Sequence, residues 1–368
     1  MSLAVGLMSG TSLDGIDAAL IDSDGDAEVR PVAFDSHPYD PAFRARLRAL
    51  LGGRAAAPEL AGEIAAVELA LTERHTAAVR GLLATAGAAP GEIAVVGFHG
   101  QTLLHAPEVR RTWQIGDGAL LAQQLGIPVV NDFRSADVAA GGEGAPFAPL
   151  FHQALIASTL PDPSERPVAV LNLGGVGNVT WIGSASQPPI AFDTGPGNAL
   201  IDDWCAKHAA LTCDLDGALA LAGRADAAAL AVLMSHPYFA RPAPKSLDRD
   251  AFDPAAVSGL SVSDGAATLT EFTAASVAAA LPLLPSPPRR WLVTGGGRKN
   301  PAIMLALRAR LGAAVESLEA VGWDGDALEA QAFAYLALRS RAGLPLSLPT
   351  TTGVALPTAG GQLHLPEI

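Results

Sequence analysis

The sequence predicts a two-domain α/β protein whose two similar domains face a cleft. Three observations predict it. A chain of 368 residues exceeds the usual span of one domain. Short apolar strands alternate with helical periodicities along its whole length. An apolar strand, a Gly-rich turn and a second strand occur near residue 10 and again near residue 175, and each copy opens a mixed unit of strands and helices.

Taken in order, residues 4–8 are an apolar strand, SGTSLDG turns, and 16–21 are the second strand. DSDGD at 22–26 turns again into a third strand at 29–34. Helical periodicity covers 41–51 and 58–83, with Pro41 and Pro58 in the first turn, where a missing N–H costs nothing. Residues 93–98 are a short apolar strand and Val129–Val130 another, each preceding a polar cluster. The second half restarts with a strand at 167–173, the turn NLGGVGN at 172–178, a strand at 179–182, and a third at 190–192 that runs into DTGPGN. Helices follow at 199–208, 217–234 and 265–281, then a strand at 291–294 and helices at 301–311 and 326–341.

Composition narrows the function. With 49% hydrophobic and only 17% charged residues, a large core can form. A formal net charge of −13 argues against a nucleic-acid partner, because phosphate backbones are bound by basic surfaces. Cys205 and Cys213 have neither zinc-site spacing nor enough company for a disulfide framework, so two free thiols in a reducing cytoplasm are expected. No basic region precedes the opening apolar stretch, which turns acidic by Asp14, so no secretory leader is expected. Prolines break the most apolar run, AASVAAALPLLPSPP, so no membrane span is expected either.

The turns carry the chemistry. Glycines let backbone N–H groups approach oxyanions, and in GLMSGTSLDGID Thr11 and Ser12 add donors beside Asp14. The rival reading of this turn alone is a plain Gly-rich hairpin; NLGGVGN in the equivalent place further favours phosphate binding. No GxxxxGK[ST] occurs, which excludes a Walker-type ATPase. No strand–GxGxxG–helix unit with a downstream acid occurs, which leaves a dinucleotide oxidoreductase poorly supported. A third run, VTGGGRKN at 293–300, lies between a strand and a helix and could meet an adenosine ring or a phosphate.

In this order, GLMSGTSLDGID, FHGQT, QIGDG, NDFRSAD, LNLGGVGN, FDTGPGN and VTGGGRKN resemble the anhydro-N-acetylmuramic acid kinases, part of the sugar kinase, heat-shock protein and actin superfamily. The resemblance spans residues 4–338. It implies two actin-like (ribonuclease H-like) domains flanking an ATP-binding cleft, expected at 1–131 and 132–345, with a tail at 346–368 that crosses back to the first. It implies a cytoplasmic homodimer that uses ATP and magnesium to open and phosphorylate 1,6-anhydro-N-acetylmuramic acid, a sugar of cell-wall turnover. Gly10, Thr11, Ser12, Leu13, Asp14, Gly15, Ile16 and Asp17 would bind ATP phosphates, with Asp14 holding magnesium through water. Asn172, Gly174, Gly175, Gly177 and Asn178 would form the second phosphate loop, and Gly295, Gly296 and Gly297 would lie beside adenosine.

On the sugar side the expected residues are His99, Gly100, Gln101, Thr102, Asp117, Arg134, Asp137 and Glu329. His99 is either a sugar contact or a structural histidine. Arg134 suits the lactyl carboxylate of the sugar, or else pairs with Asp137. Glu329, on an apolar helix, is solvated or turned into the cleft. Asp193, where a strand ends in TGPGN, is the expected general base. Lys245-Ser-Leu-Asp-Arg249 departs from the Lys-Ser-Thr-Gly-Arg pattern of the family, which leaves its role open. A kinase of another sugar and a non-catalytic nucleotide-binding regulator are the rival readings; a carboxylate in FDTGPGN favours a catalyst over a switch.

Overall fold

The computed structural model describes residues 1–10, 13–51, 58–184 and 186–367. They form two compact units, Met1–Pro161 with Asp326–Ile368, and Asp162–Gly325.

The chain begins with three antiparallel strands, β1 (Ser2–Met8), β2 (Gly15–Ser23) and β3 (Val29–Pro38). Helix α1 (Pro41–Leu50) starts where Asp40 accepts a hydrogen bond from the Phe43 amide, and α2 (Ala61–Ala86) stops at Gly87 with φ 68°. Strand β4 (Ile93–Phe98) then pairs parallel to β1. The hairpin β5 (Gln101–Ala106) and β6 (Arg111–Ile115) forms its own small sheet. Helix α3 (Gly118–Leu125), strand β7 (Val129–Asn131), and helices α4 (Ser135–Ala139) and α5 (Pro149–Thr159) follow.

The second unit repeats this plan. Strands β8 (Val168–Leu173), β9 (Val176–Ile182) and β10 (Ile190–Pro196) are antiparallel. After α6 (Ala199–Ala209), α7 (Ala218–Ala222), α8 (Ala227–Met234) and α9 (Val262–Ala279), β11 (Arg290–Thr294) returns parallel to β8. Helix α10 (Pro301–Leu311) then leads to β12 (Ala314–Ser317), parallel to β11. The chain re-enters the first unit with α11 (Leu328–Arg341) and ends near β13 (Gln362–His364), which pairs antiparallel to β7. The sheet orders are β13-β7-β4-β1-β2-β3 and β10-β9-β8-β11-β12. Three antiparallel strands followed by two parallel ones recur in both, the duplicated actin-like α/β plan expected from the sequence.

The unit limits differ from those read at 131 and 345. Residues 132–161 stay with the first unit because α5 packs on β3 and α11, where Phe151 meets Tyr335 with ring centroids 5.8 Å apart and Ser158 accepts from the Val29 amide. Helix α11 also belongs there. It lies on β1, β2 and β4, so close that a Cβ on Gly6 would run into the Ala330 carbonyl oxygen and one on Gly97 into that of Phe333.

Val262–Leu283 is long and apolar enough to cross a membrane, although prolines suggested no such run. Its apolar window is 67% buried within the second unit, where its Phe272 shares a core cluster with Trp204 and Trp291, as suits a core helix.

The first unit buries three histidines in neutral form. Burial pushes His75 down to about 4 and His99 and His152 down to about 3. Folded values below the ordinary 6.5 mean that the unfolded chain binds more protons. The contribution to stability is therefore complete above pH 6.5 and is lost as pH falls toward 4 and then 3. Near pH 5 the slope approaches three protons, about 4 kcal/mol per pH unit. The second unit has an opposite contributor, Asp202, which burial and then Asp203 and Asp214 push up to about 6 against the pull of Arg249. Hydrogen exchange at pH 7.5 and 5, corrected for intrinsic rates, should show protection lost preferentially in the first unit. Equal protection of that unit at both values would show that its histidines ionise in the fold.

Candidate active site

Within the first unit, the turn after β1 is tied to the segment after β4. The Gly10 carbonyl accepts from the Leu13 amide (3.1 Å) and from Gln101 Nε2 (3.2 Å), and Ser9 Oγ donates to the Gly100 carbonyl (3.0 Å). Thr11 and Ser12 lie outside the described residues. Leu13 sits at φ 58°, a costly conformation for its type, and buries its side chain in the core with Ile16. Those two can meet a ligand only through their backbone. Asp14 is largely exposed and paired with Arg44 (3.0 Å), Gly15 opens β2, and Asp17 accepts from Ser36 Oγ (2.7 Å).

His99 and Arg134 form a fixed pair. His99 Nδ1 faces the Gly100 carbonyl at 2.7 Å and so carries the proton; Nε2 is the lone pair that accepts from Arg134 Nε (3.1 Å) and Nη2 (3.0 Å). Arg134 Nη1 donates to the Gly144 carbonyl. Among the described residues this uses three of five guanidinium donors, with one each remaining on Nη1 and Nη2. Burial lowers the Arg134 pKa to about 10 against the opposing pull of Glu329 and then Asp137. Glu329, exposed in the first turn of α11, is thus electrostatically coupled to Arg134.

The other expected sugar residues are differently placed. Buried Asp137 accepts from Thr352 Oγ1 (2.6 Å) and the Gly144 amide (2.7 Å), so it shapes the loop that offers its carbonyl to Arg134. Asp117 caps α3 by accepting from the Leu120 amide (2.9 Å), and Thr102 accepts from Gln114 Nε2 (3.2 Å). Gln101 is fully buried, and its Oε1 has no hydrogen-bond partner among the described residues.

In the second unit three loops converge. In the β8–β9 turn, the Leu173 carbonyl accepts from Asn198 Nδ2 (2.8 Å), that of Gly174 from the Asn198 amide (2.7 Å), and that of Gly175 from the Gly197 amide (2.9 Å). These bonds fix the backbone of the turn against the segment after β10. Asn172 and Asn178 face each other across the hairpin, beside Leu173 and Gly177. The loop after β11 presses on this turn: Gly295, at φ 74°, would drive a Cβ into Asn172 Oδ1, and Cβ atoms on Gly296 and Gly297 would meet Asn198. Arg298 holds that loop by donating to the Gly295 carbonyl (3.0 Å) and to Glu319 (2.7 Å).

Asp193 stands at an irregularity of β10, between Asp193 and Gly195. Its Oδ2 accepts from the Leu247 amide (2.8 Å), its amide donates to the Lys245 carbonyl (3.0 Å), and its carbonyl accepts from Tyr238 Oη (2.6 Å). Asn198, Arg298, Tyr238 and Lys245 were not assigned roles from the sequence. Asn198 was visible in DTGPGN; Tyr238 gave no signal. Among the described residues, no three His, Cys, Asp or Glu side chains are grouped to hold a metal.

The profile of the anhydro-N-acetylmuramic acid kinase family matches residues 2–365. A relative of that name from Rhodospirillum rubrum is 61% identical over 363 residues, covering 97% of this chain and 93% of the relative. Another of that name from Rhizorhabdus wittichii is 54% identical over 366 residues, covering 99% of each. Among solved structures, the (R)-2-hydroxyglutaryl-CoA dehydratase component A of Acidaminococcus fermentans has a TM-score of 0.50 at 12% identity, covering 93% of this chain and 100% of its own, a likeness of fold alone. Since the agreement runs from end to end and holds at more than half of all positions in both relatives, the chain belongs to the anhydro-N-acetylmuramic acid kinase family.

Proposed function

We propose that this phosphotransferase consumes ATP, water and 1,6-anhydro-N-acetylmuramic acid and yields N-acetylmuramic acid 6-phosphate and ADP, in the recycling of cell-wall sugars. The observation that carries the reading is Asp193, a carboxylate fixed by a backbone amide at the irregularity within β10, on the same unit as the converging glycine loops. The anhydro sugar has no free 6-hydroxyl. As water attacks the anomeric carbon, Asp193 takes its proton, the bond from that carbon to O6 breaks, and O6 accepts the γ-phosphoryl group.

Gly10 to Asp17 and the Gly174–Asn178 turn bind the phosphates, chiefly through backbone amides, and Gly295 to Gly297 lie beside the adenosine. Magnesium enters with ATP; exposed Asp14 suits a contact through water, with Arg44 released from it. Arg134 offers its remaining donor pair to the lactyl carboxylate, while Gln101 Oε1 and Glu329 are acceptors for sugar hydroxyls. A cytoplasmic, homodimeric protein accords with the family resemblance and with the free thiols of Cys205 and Cys213.

A reaction with ATP and the anhydro sugar in H2(18)O tests this. One heavy oxygen is expected at the anomeric carbon and none in the phosphate ester. Phosphorylation without anomeric label would remove the hydrolytic step, and an unphosphorylated sugar would remove the kinase reading.

A further inference from the structure

The segment from Lys245 to Arg249, whose sequence departs from the family pattern, passes beside Asp193. We propose that Lys245 is a positioning residue for Asp193, keeping its carboxylate in place and ionised. This rests on Asp193 being the base. The segment grips Asp193 through backbone groups, the Lys245 carbonyl and the Leu247 amide, so the missing glycine at position 248 leaves the contacts intact. Arg249 turns aside to Asp203 (2.6 Å).

The Lys245 side chain folds back over Tyr238. Its Nζ donates to the Tyr238 carbonyl (3.1 Å) and stands 4.4 Å from that ring centroid and 6.0 Å from that of Phe192. Tyr238 in turn donates its hydroxyl to the Asp193 carbonyl. Lys245 is only 5% exposed, a costly place for an ammonium unless an anion compensates. Burial, and then Arg241, lower its pKa, and Asp193 is the group that opposes them. The attraction is mutual, so the ammonium favours the ionised carboxylate. Charged groups near Asp193 include Lys245 and, beyond the Tyr238 ring (5.7 Å), Arg241, while Arg249, two residues past Leu247, is paired to Asp203 on α6. From β9 it faces Asn178, and the α9 groups packed on the strand that follows are the neutral Thr273 and Ser276.

The test is the pH profile of kcat/KM for wild type, Lys245→Met and Lys245→Gln, with Asp193→Asn alongside. Both Lys245 variants should move the acid limb up by about one pH unit and leave the KM for ATP unchanged. An unmoved limb, with Asp193→Asn inactive, overturns the role of Lys245 alone. Weakened ATP binding without a moved limb makes Lys245 a general support of the unit and also overturns it. Failure of both Lys245 variants to fold does the same, making the ammonium a determinant of the fold. Near-normal turnover by Asp193→Asn removes the base itself, and this role with it.

Discussion

Asp193→Asn is expected to bind ATP and the anhydro sugar normally and to turn over at least about 100-fold more slowly, the low end of general-base effects. The amide has the shape of the carboxylate, and its oxygen can still accept from the Leu247 amide. The backbone contacts with Lys245 and Tyr238 do not involve the side chain. Basicity and the negative charge opposite Lys245 are lost while the shape is kept, so the loss should fall on kcat. Steady-state kinetics with calorimetric titration of each substrate separates the outcomes. Near-normal turnover would exclude a base at this position, and a variant that does not fold would make Asp193 a structural group of the β10 irregularity.

Arg134→Ala should weaken sugar binding by about 10- to 150-fold, the equivalent of 1.5–3 kcal/mol for a charge-assisted contact, with ATP binding nearly intact. The variant also deprives the His99 lone pair and the Gly144 carbonyl of their donor, which is a local structural cost. A sugar analogue without the lactyl carboxylate distinguishes the two effects. If Arg134 grips the carboxylate, wild type and variant should bind that analogue alike. If the arginine only supports His99 and the 142–144 loop, both sugars should lose affinity equally.

Much of this architecture was legible because its signals are local. Strand–turn–strand units show as apolar runs interrupted by glycine, and α1 and α10 begin at Asp40-Pro41 and Asn300-Pro301, where a side-chain cap precedes a fixed φ. The features that escaped depend on distant partners. The predicted helix at 217–234 breaks because Asp226 caps a new one, accepting from the Ala229 amide. The β5–β6 hairpin was hidden because polar Gln101 is buried in it. Strand β13 is three residues long and exists because β7 offers an edge, with His364 against Asn131 (3.0 Å).

The candidate site divides in the same way. Gly174, Gly175, Asp193 and Gly295 sit in dense motifs whose residue types state their chemistry. Asp117 sits in a motif just as dense, and its Oδ1 also caps α3 by accepting from the Leu120 amide. Tyr238 lies in a single 3-10 turn (Pro237–Ala240) and Lys245 in irregular backbone, and they reach Asp193 through hydroxyl or main-chain contacts, which no spacing rule reveals.

The seating of α11 on Gly6 and Gly97 bears on how the chain matures during synthesis. Strands β1 and β4 leave the ribosome before Asp162–Gly325, and the helix that covers them follows only after all of it. The contiguous second unit can complete its core while translation continues. The first remains an apolar sheet without its cover until α11 emerges, and that nascent interval leaves the chain open to premature association.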